Sequence, residues 1–554
     1  MKDTHKENPM HIALTNQPLE LTLTAKAAYQ DPFNEVDVDV VFRDTAGESW
    51  RVPAFWAGDK TFRVRFAAPR PGRYVWRSDC SNAEDTGLHG QTGELTAAAY
   101  DGPCTLYRHG RLRVAASRRT FEHADGTPFL WLADTWWMGL TTRMDWPDGF
   151  RCLVEDRARK GFNTVQIVTG PLPDFCATTG TWDSQQANEA GWPWEKGFAR
   201  INPAFYDLAD LRMACLVEQG LMPCIVSMWG YYLPFMGVEK VRKHWRYLVA
   251  RYGAYPVAWG LAGECSMPTY ARHGKPEGER DKADQKAGWT EVARYLRQID
   301  PYRNVLAVHP SWEVPGRLSL EDETLVDFDM LQTGHSGYQS LKPSADAMHA
   351  AVTHQPRLPT LNSEVNYEGI MGGSKDEIQR FLFWTSLLQG ACGHTYGAQG
   401  IWAMSSRHEP FKGTTGSWGE GFWQDVMHYP GSGHVGLGAQ ILRRYPWWRL
   451  EPCEEPEATK AGRAFSFVAR IPGELIIAYL PCGCFPAELL GNQRDWGHSL
   501  PLRIEDGVRY QADFINPCTG ETTPAGLVVP ENGQWVPPRK PSMADWLLIL
   551  EAIR

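Results

Sequence analysis

Three stretches of this chain carry different hydrophobic periods. From residue 1 to about 108, apolar and polar positions alternate. Leu19-Glu-Leu-Thr-Leu-Thr24, Val36-Asp-Val-Asp-Val40 and Thr61-Phe-Arg-Val-Arg-Phe66 each put every second residue on one face, and turns such as Pro69-Arg-Pro-Gly72 separate them. A period of two marks half-buried strands, so 1–108 predicts a β-sandwich. Between 109 and 452 short apolar runs alternate with helical patterns. The predicted strands are 129–134, 162–168, 221–227, 257–262, 305–308, 326–331, 360–361 and 393–396. Helical patterns follow at 149–160, 204–219, 238–251, 290–298, 345–352 and 435–444. Ser374-Lys-Asp-Glu377 has the form of a capping box and opens another, to about 388. Eight strand–helix units of α/β type over about 340 residues predict a (β/α)₈ TIM barrel. The alternation returns in 453–554, at 464–470, 475–480 and 546–550, and predicts a second β-sandwich.

The helices and strands place the candidate chemistry. In such a barrel all strand C-termini converge on one face. Two acidic residues close predicted strands four and seven: Glu264 in Trp259-Gly-Leu-Ala-Gly-Glu264, and Glu364 in Leu361-Asn-Ser-Glu364. Paired carboxylates across a barrel mouth are what glycosidic bond cleavage uses, one as acid/base and one as nucleophile or base. Asp134, Gln166, His309, Gln332, His335, Tyr367 and Tyr396 fall at or just past other strand ends, with Trp136, Trp137, Trp229 and Trp402 beside them. These types hold sugar hydroxyls, orient a carboxylate or stack on a sugar ring. Glu368 is a competing carboxylate. Long segments at 171–201, with Trp182, Trp192 and Trp194, and at 265–287, charged and glycine-rich, predict binding loops on the same face.

Composition narrows the partners. A formal charge of −9 opposes nucleic acid, and 24 Trp residues suit a carbohydrate site while also serving as core filling. No 18-residue apolar window predicts a membrane span, and the first ten residues lack the apolar run of a signal peptide. The expected location is the cytoplasm, which also fits cysteines scattered through apolar runs. No metal or cofactor is expected: Cys482-Gly-Cys484 stands alone, and neither a zincin nor a serine-hydrolase motif occurs. Gly431-Ser-Gly-His-Val-Gly436 has dinucleotide-loop spacing but no preceding strand, and predicts a helix entry instead.

Five motifs carry a resemblance: Phe129-Leu-Trp-Leu-Ala-Asp-Thr135, Lys160-Gly-Phe-Asn-Thr-Val-Gln166, Leu331-Gln-Thr-Gly-His-Ser336, Glu364-Val-Asn-Tyr-Glu-Gly369 and Gly390-Ala-Cys-Gly-His-Thr-Tyr-Gly397. In this order they are similar to the apiosidase-like family of glycoside hydrolases. The resemblance implies a (β/α)₈ barrel between an N-terminal immunoglobulin-like domain and a small C-terminal β-sandwich. It also implies an acid/base at Glu264 and a nucleophile at Glu364. Apiosidases commonly carry Gly-Gly-Asp at strand four where this chain has Ala262-Gly263-Glu264, so the sugar stays open. The expected activity is hydrolysis of small glycosides or oligosaccharides with retention. An inverting glycosidase, a transglycosylase or a catalytically silent carbohydrate-binding protein would use the same residues. Oligomeric state is left open.

Overall fold

Eight parallel strands form the centre of the molecule: β1 (Trp131–Thr135), β2 (Thr164–Val168), β3 (Met222–Val226), β4 (Ala258–Gly260), β5 (Leu306–Ala307), β6 (Asp329–Gln332), β7 (Thr360–Glu364) and β8 (Gly393–Tyr396). The computed structural model describes residues 11–173, 184–312, 314–412, 418–453, 467–482 and 502–553. Nearly every strand residue is buried, as a parallel sheet covered on both faces requires. The ladder runs β5-β4-β3-β2-β1-β8-β7-β6. It closes a barrel except between β5 and β6. There the Asp327 amide donates to the Leu306 carbonyl at 2.7 Å, and the Asp327 carboxylate accepts from the Leu306 amide at 2.9 Å. One side chain thus stands in for part of a ladder.

Helices α1 (Asp148–Arg159), α2 (Pro203–Glu218), α3 (Val238–Tyr252), α4 (Pro276–Ile299), α5 (Leu341–Thr353), α6 (Asp376–Leu388) and α7 (Pro430–Leu442) surround the strands. Three expectations need correction. Strand five is followed by two short 3₁₀ turns, Gly316–Ser319 and Glu323–Leu325, and not by an α-helix. A β-carbon at Gly316 would sit 2.2 Å from the Val308 carbonyl oxygen, so the chain lies too tight on the barrel for a helix. The charged segment 265–287 is largely the start of α4, which opens with Pro276 and carries Glu277 and Glu279 in its first turn. Its glycines serve packing: Gly278 admits the Arg272 carbonyl, and Gly288 further along the helix admits the Leu233 side chain. The Ser374 hydroxyl bonds the Asn366 carbonyl and caps no helix; α6 starts after Lys375 without a side-chain cap.

The N-terminal region is a sandwich of a five-stranded sheet (His11–Leu14, Thr92–Ala98, Gly72–Cys80, Val38–Asp44, Ser49–Pro53 in spatial order) and a three-stranded one (Leu19–Thr24, Thr61–Phe66, Phe55–Trp56). It packs on α3, where Tyr247 meets Phe33 and Phe55 edge-on and Arg246 pairs with Asp39 at 2.6 Å. Trp194, expected on the catalytic face, packs instead against Phe33 and donates to His244. Trp182 lies outside the described residues. The C-terminal region is a six-stranded sheet that includes Phe467–Ile471, Leu475–Leu480 and Trp546–Ala552, beside a two-stranded one. Residues 464–466 of the first predicted strand and Cys484 lie outside the described residues. Phe381 of α6 meets Phe467 and Tyr479, and Arg380 grips Asp545 with two nitrogens at 2.7 and 2.9 Å. Among the described residues no helix is long and apolar enough to cross a membrane.

Candidate active site

Glu264 and Glu364 emerge on the same face of the barrel and are 8% and 6% exposed. Glu364 is the last residue of β7. Glu264 lies four residues past β4 and holds φ = +40°, a left-handed conformation that costs free energy in a residue with a β-carbon. Strain of this kind aims a side chain that regular backbone would not. A bridge between Gly263 and Trp229 fixes the turn: a β-carbon at Gly263 would fall 2.2 Å from the indole. The Trp229 Nε1 then donates to Glu264 Oε2 at 3.0 Å.

Gln332 joins the two carboxylates. Its Nε2 donates to Glu264 Oε1 and to Glu364 Oε1, each at 3.0 Å. Two histidines complete the surroundings of Glu364: His335 Nε2 lies 2.9 Å from Oε1 and His309 Nε2 lies 3.2 Å from Oε2. Burial alone would raise the Glu364 pKa. The hydrogen bonds and charges of His309 and His335 outweigh it and hold the carboxyl well below its ordinary range. Trp137 stands edge-on to His309 at 4.9 Å, and its Nε1 donates to the Tyr367 hydroxyl at 3.0 Å. Burial, then the Glu364 charge, pushes the Tyr367 phenol well up, so it stays a neutral donor.

Of the sequence-predicted residues, the structure therefore brings together Trp137, Trp229, Glu264, His309, Gln332, His335, Glu364 and Tyr367. Five others lie elsewhere. Asp134 accepts from Arg157 Nε at 2.6 Å and from Trp136 Nε1 at 2.8 Å, all fully buried. Gln166 donates to the Ser363 carbonyl at 2.8 Å, below Glu364. Tyr396 donates to Glu368, whose other oxygen accepts from the Gly431 amide in the first turn of α7. A β-carbon at Gly431 would strike that carboxylate at 2.3 Å, which explains the first glycine of the dinucleotide-like run. Trp402 donates to Gln399. Sequence reading missed Trp418, which meets His335 edge-on at 5.9 Å. It also missed Gly397, where a β-carbon would collide with the Tyr367 ring at 2.2 Å. A glycine directly after a strand-end tyrosine was the available signal.

One group of metal-ligating types occurs among the described residues: Asp376, His434 and Cys518, with ligand atoms within 4.8 Å of one another. Arg380 sits among them, donating to His434 Nδ1 at 3.0 Å and pairing with Asp376. Its guanidinium already supplies the positive charge, and burial pushes the Cys518 thiol up to about 11. The donor set does not fit a metal.

A parallel eight-stranded barrel with two clustered carboxylates at its C-terminal face is an arrangement that glycoside hydrolases use. The family follows from the sequence match. Residues 115–449 match the model of the apiosidase-like catalytic domain, and the chain belongs to that family of glycoside hydrolases. Residues 15–81 match a domain of unknown function (DUF5060). Among solved structures, a Bacteroides vulgatus ATCC 8482 protein assigned to the glycoside hydrolases aligns over 98% of this chain and 100% of its own, with TM-score 0.72 and 16% identity. A family 5 glycoside hydrolase from the same organism aligns over 80% and 93%, with TM-score 0.63 and 19% identity. No match was found among curated protein sequences.

Proposed function

We propose that this hydrolase cleaves small glycosides or oligosaccharides with retention of anomeric configuration, with Glu364 as nucleophile and Glu264 as acid/base. The observation that carries the reading is the shared amide. Both carboxylates lie 3.0 Å from one Gln332 nitrogen, so their facing oxygens are separated by at most twice that distance. Retaining enzymes hold the groups about 5–5.5 Å apart and inverting ones about 6.5–9.5 Å. Glu364, kept ionised by two histidines, attacks the anomeric carbon. As the glycosidic C–O bond breaks, Glu264 gives its proton to the leaving oxygen. Glu264 then takes a proton from water, which attacks the glycosyl-enzyme and frees Glu364. Trp137, Trp229, His309, His335 and Tyr367 surround the sugar in this reading. Asp134, Trp136, Gln166, Tyr396 and Trp402 support the strands beneath it.

The test is Glu364→Ala with 2,4-dinitrophenyl pentosides and hexosides of both anomeric configurations. Turnover should fall by at least about 10⁴-fold, on the scale seen when a covalent catalyst is removed. Azide should restore it, yielding a glycosyl azide of inverted configuration. Wild-type product should first appear with the configuration of the substrate in a ¹H NMR time course. First-formed product of opposite configuration would replace this reading with the inverting one.

A further inference from the structure

We propose that Gln332 is the positioning residue that sets the separation of the two carboxylates, and that its amide oxygen receives the substrate hydroxyl next to the anomeric carbon. The inference rests on the assignment of Glu264 and Glu364 as the catalytic pair.

Three observations carry it. The first is backbone register. β6 pairs with β7 through Leu331 opposite Asn362, but the next pair is Gln332 opposite Glu364, so the ladder skips Ser363. A bulge of this kind re-aims one side chain beside an active site. Here it puts Gln332 and Glu364 level at the mouth, whereas an unbroken register would pair Gln332 with Ser363.

The second is the donor count. A primary amide nitrogen carries two hydrogens in one plane, about 120° apart. Each carboxylate takes one of them at 3.0 Å. That geometry spaces the two oxygens by about 5 Å, the retaining separation. The spacing therefore follows from one planar group, while Glu264 and Glu364 themselves come from strands distant along the ladder.

The third is an unfilled acceptor. Gln332 Oε1 is buried and has no hydrogen-bond partner among the described residues. An orphaned buried acceptor is destabilising and is expected where a ligand completes it. Both amide hydrogens are committed to the carboxylates, so Oε1 belongs to the group that also touches the reacting centre. A sugar whose anomeric carbon lies between the carboxylates presents its neighbouring hydroxyl within reach of such a group. The substrate class is then a glycoside with a free hydroxyl at that carbon; 2-deoxy and 2-acetamido sugars are poor substrates. Hydrogen bonds to this hydroxyl strengthen as charge develops on the ring, so the contact acts on kcat more than on KM.

Gln332→Met keeps side-chain length and removes both donors and the acceptor. Three readouts are compared with wild type: the crystal structure of the free variant, kcat and KM on the best 2,4-dinitrophenyl glycoside, and the preference for that glycoside over its 2-deoxy counterpart. The expected results are a carboxylate separation changed by 1 Å or more, a kcat about 10²-fold lower with KM within threefold, and a collapse of the preference from above about 10²-fold to below tenfold. The Gln332→Glu variant restores an acceptor without the shared donor. It should keep part of the preference yet lose kcat. Unmoved carboxylates in the variant crystal, or a kcat within threefold of wild type, overturn the positioning role. A wild-type preference already below tenfold overturns the hydroxyl contact. Absence of turnover by wild type on every glycoside overturns the catalytic-pair assignment and this inference with it.

Discussion

His335→Phe isolates one hydrogen bond that keeps the proposed nucleophile ionised. The His335 ring lies against Tyr367 at 4.6 Å and edge-on to Trp418, so phenylalanine fills its place and only the Nε2 contact to Glu364 is lost. That contact is 2.9 Å long between side chains 12% and 7% exposed, so solvent screens it little. A hydrogen bond to a charged group in such a place is worth about 1.5–3 kcal/mol, or about 1–2 pKa units. The sign follows from the direction of the shift. Glu364 is depressed in the folded protein, so its ionised form and the activity that needs it persist as pH falls below the ordinary carboxylate range, while the stability it contributes is full above that range and is lost progressively as pH falls from there to its own low pKa. Losing His335 raises that pKa toward the ordinary value, though His309 at 3.2 Å still holds part of the shift. In a kcat/KM profile on an aryl glycoside, the acidic limb should move up by about 1–2 pH units while the plateau changes less. Thermal stability at pH 7 should fall, and the deficit should shrink only as pH falls through the variant's own folded pKa. An acidic limb that stays in place, with the variant folded and active, would refute the claim that the histidine sets the Glu364 charge.

Two further predictions concern stability. Asp329 is buried at the base of β6 with one carboxylate oxygen unpartnered among the described residues, and burial pushes its pKa up to about 6. Ionising it in the fold therefore costs about 3 kcal/mol, a penalty absent below pH 4, growing through pH 4–6 and constant above; Asp329→Asn should raise the melting temperature at pH 8 but not at pH 4, and an equal effect at both would contradict it. Asp134→Ala leaves the fully buried Arg157 guanidinium with Asp156 at 2.5 Å as its remaining carboxylate and the Met427 carbonyl at 3.1 Å; stability should drop by about 3 kcal/mol with loss of soluble yield, whereas a wild-type melting temperature with activity alone lost would restore Asp134 to the substrate.

Much of this architecture was legible in the residue pattern because the pattern is local. Alternation at 19–24 and 61–66 marks strands that the structure keeps at Leu19–Thr24 and Thr61–Phe66. The apolar runs ending near Glu264 and Glu364 located β4 and β7, since a buried parallel strand needs only a few apolar residues before a polar end. What escaped was set by neighbours. The charged, glycine-rich segment 265–287 read as a loop, yet from Pro276 onward it is helix. The bulge at Gln332 is a relation between two strands and leaves no period in either. Asp134 and Tyr396 have the polarity of substrate contacts, and only the fold shows the buried Arg157 and Glu368 that take them up.

The open junction between β5 and β6 leaves the cylinder as one curved strip with two free edges. Glu264 and His309 lie toward the edge that ends at β5, while Gln332, His335 and Glu364 lie toward the edge that ends at β6. Traced along the sheet, the acid and the nucleophile are five strands apart, and the shorter way between them crosses the gap that Asp327 stitches near its base. The line between the two carboxylates thus crosses the one junction of the barrel without a strand ladder among the described residues. A small splaying of that junction would widen the working gap while leaving the ladders intact, so mutations in the sparsely structured stretch between residues 310 and 327 have a mechanical route to the chemistry without touching it.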